Sequence, residues 1–597
     1  MPGFPDTITT DYRNTNRLKI TRSYRTLLPQ VLPLLVVFVL LLLPAGVSAF
    51  FIREPVALSF AIKEILLACL FFLIPLFIFY KNIKVYLCLL LPIILLSPLF
   101  IFSILLFELR PRFELIALVM QSNMTEISEV VSGYLSLFIP VSLAYTLLYL
   151  YCLKKIQFRK IQFGIAFSIS LLAAVLALGK VGYEKGLYKQ TTTNMDLDSF
   201  MKVKYYPASF VGGALEAYST LVNNEMKVAE DFSFRALQKD TVEHRKVFVL
   251  IIGESSRYNS WQINGYNRNT SPRLAARDNL VSFSNVISGS SQTRMSVPMM
   301  ITRATPDSID VQFREKSILS AFSEAGYKTV WLSNQTDQEI FWSGSINAHA
   351  KAADISIFSP SLSPNFELEE YYDERLLPAL DTLLHTLQED LFIVLHTMGN
   401  HWDYSKRYPK EFDHFRPSGK TVSIRKPTAH NRDAVINSYD NSLLYADYII
   451  DSVINTISKH NVVSAVKFLS DHGEDLYDAC STKVDFHLKE SPHTLHVPLF
   501  IWTSDLYRHL YPDKQKSLIC NKDKKVGPEN TFYTLLDLAN IGIQEDEPFK
   551  SLANADYQDS EQKYLENSTR KSSLYSNLRS SFSEYEHPVQ PTTFRAK

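Results

Sequence analysis

Glu254, Asp471 and His472 are the residue types in this chain best suited to chemistry. Two carboxylates and one imidazole make a ligand set for a catalytic zinc or manganese ion with an open coordination position. An isolated Asp-His pair is more often a structured turn, but each of these residues follows directly on a short apolar run. Val247 to Ile252 leads into Gly253-Glu254-Ser255-Ser256-Arg257, and Val466 to Leu469 into Ser470-Asp471-His472-Gly473-Glu474. Thr329 to Leu332 leads into Ser333-Asn334-Gln335, and Leu391 to Leu395 into His396-Thr397-Met398-Gly399-Asn400-His401. Two nucleophile schemes fail on their residues. A serine-hydrolase elbow needs glycine where Arg257 stands, because its turn is sharp. Formylglycine chemistry begins plausibly at Ser296-Val297-Pro298, but Met300 stands where arginine is needed and no cysteine lies between Cys152 and Cys480.

The elements that must position these groups are readable from the same runs. A fifth run, Val497 to Trp502, completes the set, and amphipathic stretches at Ser317 to Ala325, Arg375 to Gln388 and Ala434 to Lys459 alternate with the runs. Near-continuous apolar strands alternating with helices predict an α/β domain with a mainly parallel sheet covered on both faces. In such sheets ligands bind beyond the carboxyl ends of the strands, where the polar clusters fall.

Before residue 184 the chain has a different character. Five apolar stretches, Leu32 to Phe51, Val56 to Tyr80, Val85 to Phe107, Val131 to Leu153 and Phe163 to Val181, are each of membrane-spanning length. Basic residues precede the first stretch (Arg13, Arg17, Lys19, Arg22, Arg25) and recur at Lys81 and Lys84, then at Lys154, Lys155, Arg159 and Lys160. The intervening loop carries Glu108, Glu114, Glu126 and Glu129 against Arg110 and Arg112. This alternation predicts a cytoplasmic N-terminus and an external domain after an odd number of crossings. Val47-Ser48-Ala49 also resembles a leader cleavage site, but the apolar run is long and further spans follow. Lys+Arg and Asp+Glu are both 61, so there is no global basic field to hold nucleic acid. Cys480 and Cys520 leave room for one disulfide. The expected organisation is a cytoplasmic tail (1–28), a five-helix transmembrane domain (29–183), a linker (184–245) with a helix near Gly213 to Met226, a catalytic domain (246–545), and a polar, poorly ordered tail (546–597).

Longer blocks make the chain recognisable. Gly253-Glu254-Ser255 followed by Asn264-Gly265-Tyr266-Asn267-Arg268-Asn269-Thr270-Ser271-Pro272 resembles the "GE[ST]…NGYxRxTxP" block of membrane phosphoethanolamine transferases. Thr293 before Ser296-Val297-Pro298 matches that family's nucleophile block. Met398-Gly399-Asn400-His401, Tyr439-Asp440-Asn441-Ser442 and Ser470 to Glu474 match three further blocks in order, and the resemblance covers roughly residues 30 to 545. It implies an alkaline-phosphatase-like (sulfatase-like) domain behind five spans, in a bacterial inner membrane with the catalytic domain in the periplasm. It also implies a zinc ion, one tightly bound with room for a second and manganese as the second choice, held by Glu254, Thr293, Asp471 and His472. His401 would contact the phosphoryl group or a second metal; His487 occupies a looser family position for which His493 and His496 compete. Gln121-Ser122-Asn123-Met124-Thr125-Glu126 resembles a "QTNxxE" segment that helps receive the lipid donor, with Ser122 and Glu126 at its cationic ethanolamine end.

The implied reaction moves phosphoethanolamine from phosphatidylethanolamine to Thr293, releasing diacylglycerol, and then to an envelope lipid or glycan: lipid A, lipopolysaccharide core or a periplasmic glucan. Partners are therefore membrane lipid, donor and acceptor, with a monomer expected. Two rival readings are a phosphoglycerol transferase of lipoteichoic-acid type and a non-catalytic membrane sensor that keeps the fold. The chain departs from the family at the cysteines that often bracket the nucleophile loop, which are Ser288 and Met299 here, so loop rigidity must come from packing. A lysine common after the second strand is Gln338 or Glu339.

Overall fold

The computed structural model describes residues 12–51, 57–107, 134–156, 163–173, 175, 206–207, 209, 231–337, 345–359, 372–424, 427–478, 484, 486–487, 489–559, 561–567 and 571–583. The chain divides into two compact units, one helical and N-terminal, the other carrying the catalytic motifs.

Among the described residues of the first unit, two helices are long and apolar enough to cross a membrane, Leu32–Phe51 and Leu135–Lys155. A third candidate is a bent pair, Ile83–Leu89 with Leu91–Leu105, turned by 44°. The bend falls where Pro92 removes a backbone donor just inside the second helix. Shorter apolar helices occupy Glu64–Phe77 and Phe163–Ala173. The first of these tightens into a 3-10 turn, Ile74–Phe77, at Pro75. The five apolar stretches thus correspond to two or three helices of spanning length and two shorter ones. Ser122 and Glu126 lie outside the described residues, as does the helix expected near Gly213 to Met226.

The second unit is built on a seven-stranded sheet. Its strands are β1 (Lys246–Gly253), β2 (Leu280–Phe283), β3 (Lys328–Ser333), β4 (Ile355–Phe358), β5 (Leu391–His396), β6 (Val463–Ser470) and β7 (Leu499–Thr503). They lie in the order β2-β7-β6-β1-β5-β3-β4. β1 pairs in parallel with β5 and β6, and β3 with β4 and β5, whereas β7 runs against both of its neighbours. Every residue of β1, β5, β6 and β7 is buried. Alternate side chains feed two cores, with Phe248, Leu250 and Ile252 on one face and Val247, Val249 and Ile251 on the other. That two-sided burial is why these strands read as unbroken apolar runs.

The boundaries shift at both ends. Phe234 and Ala236, expected in the linker, pack into the first core, and Leu237–Gln238 pair antiparallel with Ile541–Gly542. The segment after residue 546, expected to be poorly ordered, instead forms an antiparallel hairpin of β8 (Lys563–Leu565) and β9 (Ser572–Leu574) and a following helix, Tyr575–Ser583. Its order comes from Tyr564 and Tyr575 burying against Ile287 and Leu495, long-range contacts that a polar local composition conceals. Cys520 is a free, exposed thiol, and Cys480 lies outside the described residues.

Candidate active site

The register of the sheet brings the chemistry together. Gly253 pairs with Ser470 and Ile252 with His396, so Glu254 and Asp471 leave neighbouring strands at the same height, beside the loop from β5. Ligand atoms of Glu254, Asp471 and His472 all lie within 4.8 Å of one another, and all three residues are buried. His472 Nε2 is 3.3 Å from Glu254 Oε1 and 3.4 Å from Asp471 Oδ2. The other ring nitrogen, Nδ1, is 2.8 Å from the Gly473 carbonyl; with its hydrogen there, the Nε2 lone pair faces the cluster.

Thr293 is the first residue of helix α1 (Thr293–Ile301). Its hydroxyl donates to Glu254 Oε2 at 3.2 Å and lies 3.3 Å from His472 Nε2. An oxygen anion at that place meets the positive end of the helix dipole as well as the cation site. His487 packs against the cluster with its ring 4.4 Å from that of His472 and 6.2 Å from that of His401. His493 and His496 are engaged elsewhere, the first against Arg257 Nη2 at 3.2 Å and the second stacked on Tyr258 with Nε2 2.9 Å from the Ser284 carbonyl. Of the three histidines that competed for the position, His487 is the one at the cluster.

The electrostatics of the cluster follow from its burial and its two carboxylates. Burial and the Glu254 charge push the Asp471 carboxyl up to about 8. Burial opposes charge on His472, yet Asp471 and Glu254 outweigh it and raise the imidazole to about 10. Glu254 is held well below the carboxylate range by His472 against its own burial. Two carboxylates thus compete for a single positive charge. Asp471 Oδ2 is buried without a hydrogen-bond partner, as are both carboxylate oxygens of Glu474, which sits 3.4 Å from His487. An orphaned carboxylate oxygen beside an imidazole nitrogen and a hydroxyl is a donor set that a divalent ion fits, the ion taking the place of the imidazole proton.

Surrounding residues hold this geometry. Ser255 has φ of +55°, a left-handed conformation that costs a non-glycine residue about 1–3 kcal/mol. It is held on three sides. Its N–H donates to Asp471 Oδ1 at 3.1 Å, its hydroxyl to Glu254 Oε1 at 2.8 Å, and its carbonyl accepts from the Tyr439 hydroxyl at 2.7 Å. The same Tyr439 oxygen accepts the Arg257 N–H at 2.9 Å. Tyr439 belongs to the long helix α2 (Arg432–Ser458), and its neighbours reach the remaining motifs. Asp440 accepts from Tyr266 and Arg268, and Ser442 accepts from Asn400 Nδ2 at 2.8 Å. Gly399, at φ +51°, passes so close to Glu254 that a Cβ there would lie 2.8 Å from its carbonyl oxygen. Two residues complete the frame, Gln335, named in the sequence only as part of a strand-end cluster, and Asp373, which the sequence reading missed. Asp373 accepts the N–H groups of Met398 and Gly399 at 2.8 and 3.0 Å, and Gln335 donates to Glu254 Oε2 at 3.2 Å. Gln335 had a signal in its strand-end place; Asp373 had none.

Residues 246–541 match the sulfatase family. The chain is 30% identical over 328 residues to the phosphoethanolamine transferase EptA of Escherichia coli K12, a match covering 53% of this chain and 57% of that protein. It thus spans little more than half the length of the curated relatives it matches. Its fold is similar to that of an integral membrane protein, lipooligosaccharide phosphoethanolamine transferase A from Neisseria meningitidis. That likeness has a TM-score of 0.67 at 22% identity and covers 86% of this chain and 97% of that one. The periplasmic domain of Escherichia coli EptC in complex with zinc is also similar, with a TM-score of 0.52 at 23% identity, covering 57% of this chain and 96% of that domain. The part of the chain that holds the cluster thus matches the sulfatase family, and the curated proteins it resembles are phosphoethanolamine transferases.

Proposed function

We propose that this protein transfers phosphoethanolamine from phosphatidylethanolamine to an envelope lipid or glycan, through a covalent intermediate on Thr293. The observation that carries the reading is the Thr293 hydroxyl, set within 3.3 Å of both Glu254 and His472 at the start of a helix. Glu254, Asp471, His472 and the Thr293 oxygen would hold a zinc ion, which when bound lowers the hydroxyl pKa and offsets charge on the phosphoryl oxygens. Thr293 Oγ1 forms the new bond to phosphorus, and the bond to the glycerol oxygen breaks, so diacylglycerol leaves with a proton. His487 and His401 flank the cluster and orient the phosphoryl group. The acceptor's hydroxyl or phosphate oxygen then displaces Thr293. In this reading the protein sits in a bacterial inner membrane with five crossings, where the lipid donor is, and the catalytic domain faces the periplasm. Ser122 and Glu126 receive the ethanolamine end.

The test separates the two steps. Donor alone should release diacylglycerol and leave a phosphoethanolamine adduct on the peptide containing Thr293, which later addition of acceptor discharges. Thr293→Val should abolish both steps, while Thr293→Ser keeps part of the activity. An adduct mapped by mass spectrometry to Ser290, Ser291 or Ser296 would overturn the assignment.

A further inference from the structure

The loop Ser288 to Gln292 delivers Thr293 to the cluster, and no cysteine ties it down. Its order comes from elsewhere. Ser288 N–H donates to the Leu495 carbonyl at 2.8 Å, and Ser291 Oγ donates to the His487 carbonyl at 2.9 Å. The C-terminal hairpin then closes over it. Leu565 N–H donates to the Gly289 carbonyl at 2.7 Å, extending β8 against the loop. Two residues on, the Asn567 side chain meets consecutive serines with its two ends. Its Nδ2 donates to Ser291 Oγ at 2.8 Å, and its Oδ1 accepts from Ser290 Oγ at 3.3 Å. Both serine hydroxyls pass the contact on: Ser290 Oγ accepts from Gln292 N–H at 3.2 Å, directly before the nucleophile, and Ser291 holds His487. The hairpin is anchored independently by the Asn567 N–H on the Glu490 carboxylate and by Gln562 Nε2 on the Asn285 and Val526 carbonyls.

We propose that Asn567 is a positioning residue for the nucleophile. Its amide bridges Ser290 and Ser291 and fixes the loop that presents Thr293, so the C-terminal hairpin is a working part of the active site. The planar amide suits this role because it offers a donor and an acceptor side by side in fixed geometry, matching two hydroxyls that each have one direction already committed. The proposal rests on Thr293 being the nucleophile, and it takes the segment beyond the sulfatase-family match, which ends at residue 541, into the catalytic apparatus.

The experiment uses the full-length, zinc-loaded protein in detergent and compares wild type with Asn567→Ala, Asn567→Asp, Ser291→Ala and Ser291→Ala/Asn567→Ala. Hydrogen exchange in Asn567→Ala should rise about tenfold in peptides spanning 286–300 and stay unchanged in β1 and β6. The kcat for diacylglycerol release should fall about tenfold with KM for the donor unchanged, because a misplaced nucleophile loses attack geometry rather than binding. Asn567→Asp keeps the acceptor for Ser290 and should fall in between. The double variant should lose less than the product of the two single losses, since both changes break the Asn567–Ser291 contact. Unchanged exchange in the loop overturns the proposal, as does a rise spread evenly over the domain with a lowered Tm. A wild type that releases no diacylglycerol, with a loop-confined rise in exchange in Asn567→Ala, keeps the bridge and overturns only the phosphoethanolamine reading.

Discussion

The two sides of the active site are held in different ways. Glu254, Asp471 and His472 sit on the ends of β1 and β6, fully buried strands whose positions are set by the sheet register and two hydrophobic cores. Thr293 sits across from them at the end of a loop held by serine hydroxyls, an asparagine amide and a hairpin from the far end of the chain. The ligand side is therefore as rigid as the core, while the nucleophile side is only as rigid as its polar contacts. This division suits the proposed reaction, in which the acid–imidazole set stays in place while the Thr293 hydroxyl reacts twice.

The largest effect should come from removing a ligand. Asp471→Ala takes away one of the four proposed zinc ligands at a place that the core holds fixed. Activity should fall by about a thousandfold or more and zinc content should drop, while circular dichroism stays unchanged. Full zinc occupancy in that variant would show that the ligand side is built from other residues.

A smaller effect should follow from loosening the ligand side without touching a ligand. Tyr439→Phe strands the buried Arg257 N–H and Ser255 carbonyl and should destabilise the domain by about 1–3 kcal/mol. It should also release Ser255 from its left-handed turn and lower zinc affinity. A variant with normal stability and normal zinc affinity would remove α2 from the account of ligand rigidity.

Least coupled to activity is Lys467, four residues before Asp471 on the same strand. It is buried with no hydrogen-bond partner, and burial lowers its ammonium to about 7. In the unfolded chain the group titrates near its ordinary value of 10.5. Between those two pH values the unfolded state binds the extra proton, so this group makes stability rise with pH across that window and adds no slope below it. Lys467→Met should raise stability at pH 7 and flatten the rise toward pH 10, with kcat unchanged. A pH-stability curve identical to wild type would show that Lys467 reaches water or a partner.

Much of the ligand side was legible in the sequence because two-sided burial writes itself as apolar runs, and the residues after each run fall where the sheet ends. The edge strands β2 and β4 were not, since four residues of partly exposed chain carry little pattern. Proline explains the spans, where a continuous apolar stretch conceals a bend at Pro92 and a tightened turn at Pro75. The nucleophile side was legible only as Thr293 itself. Asn567 stands in a stretch of Ser, Asn and charge that looks disordered by composition, and its order depends on contacts 276 and 277 residues away.

That separation has a consequence for biosynthesis. The nucleophile loop emerges from the ribosome long before Asn567, so a chain synthesised only as far as residue 545 already contains Glu254, Thr293, Asp471 and His472 but not the residue that bridges Ser290 and Ser291. The first core also takes Leu552, Ala553 and Tyr557 from beyond that point, so the packing under β1 and the serine bridge both draw on chain made after residue 545. The core beneath the cluster and, on the proposed role of Asn567, the alignment of the Thr293 hydroxyl therefore depend on the same late-made stretch of chain.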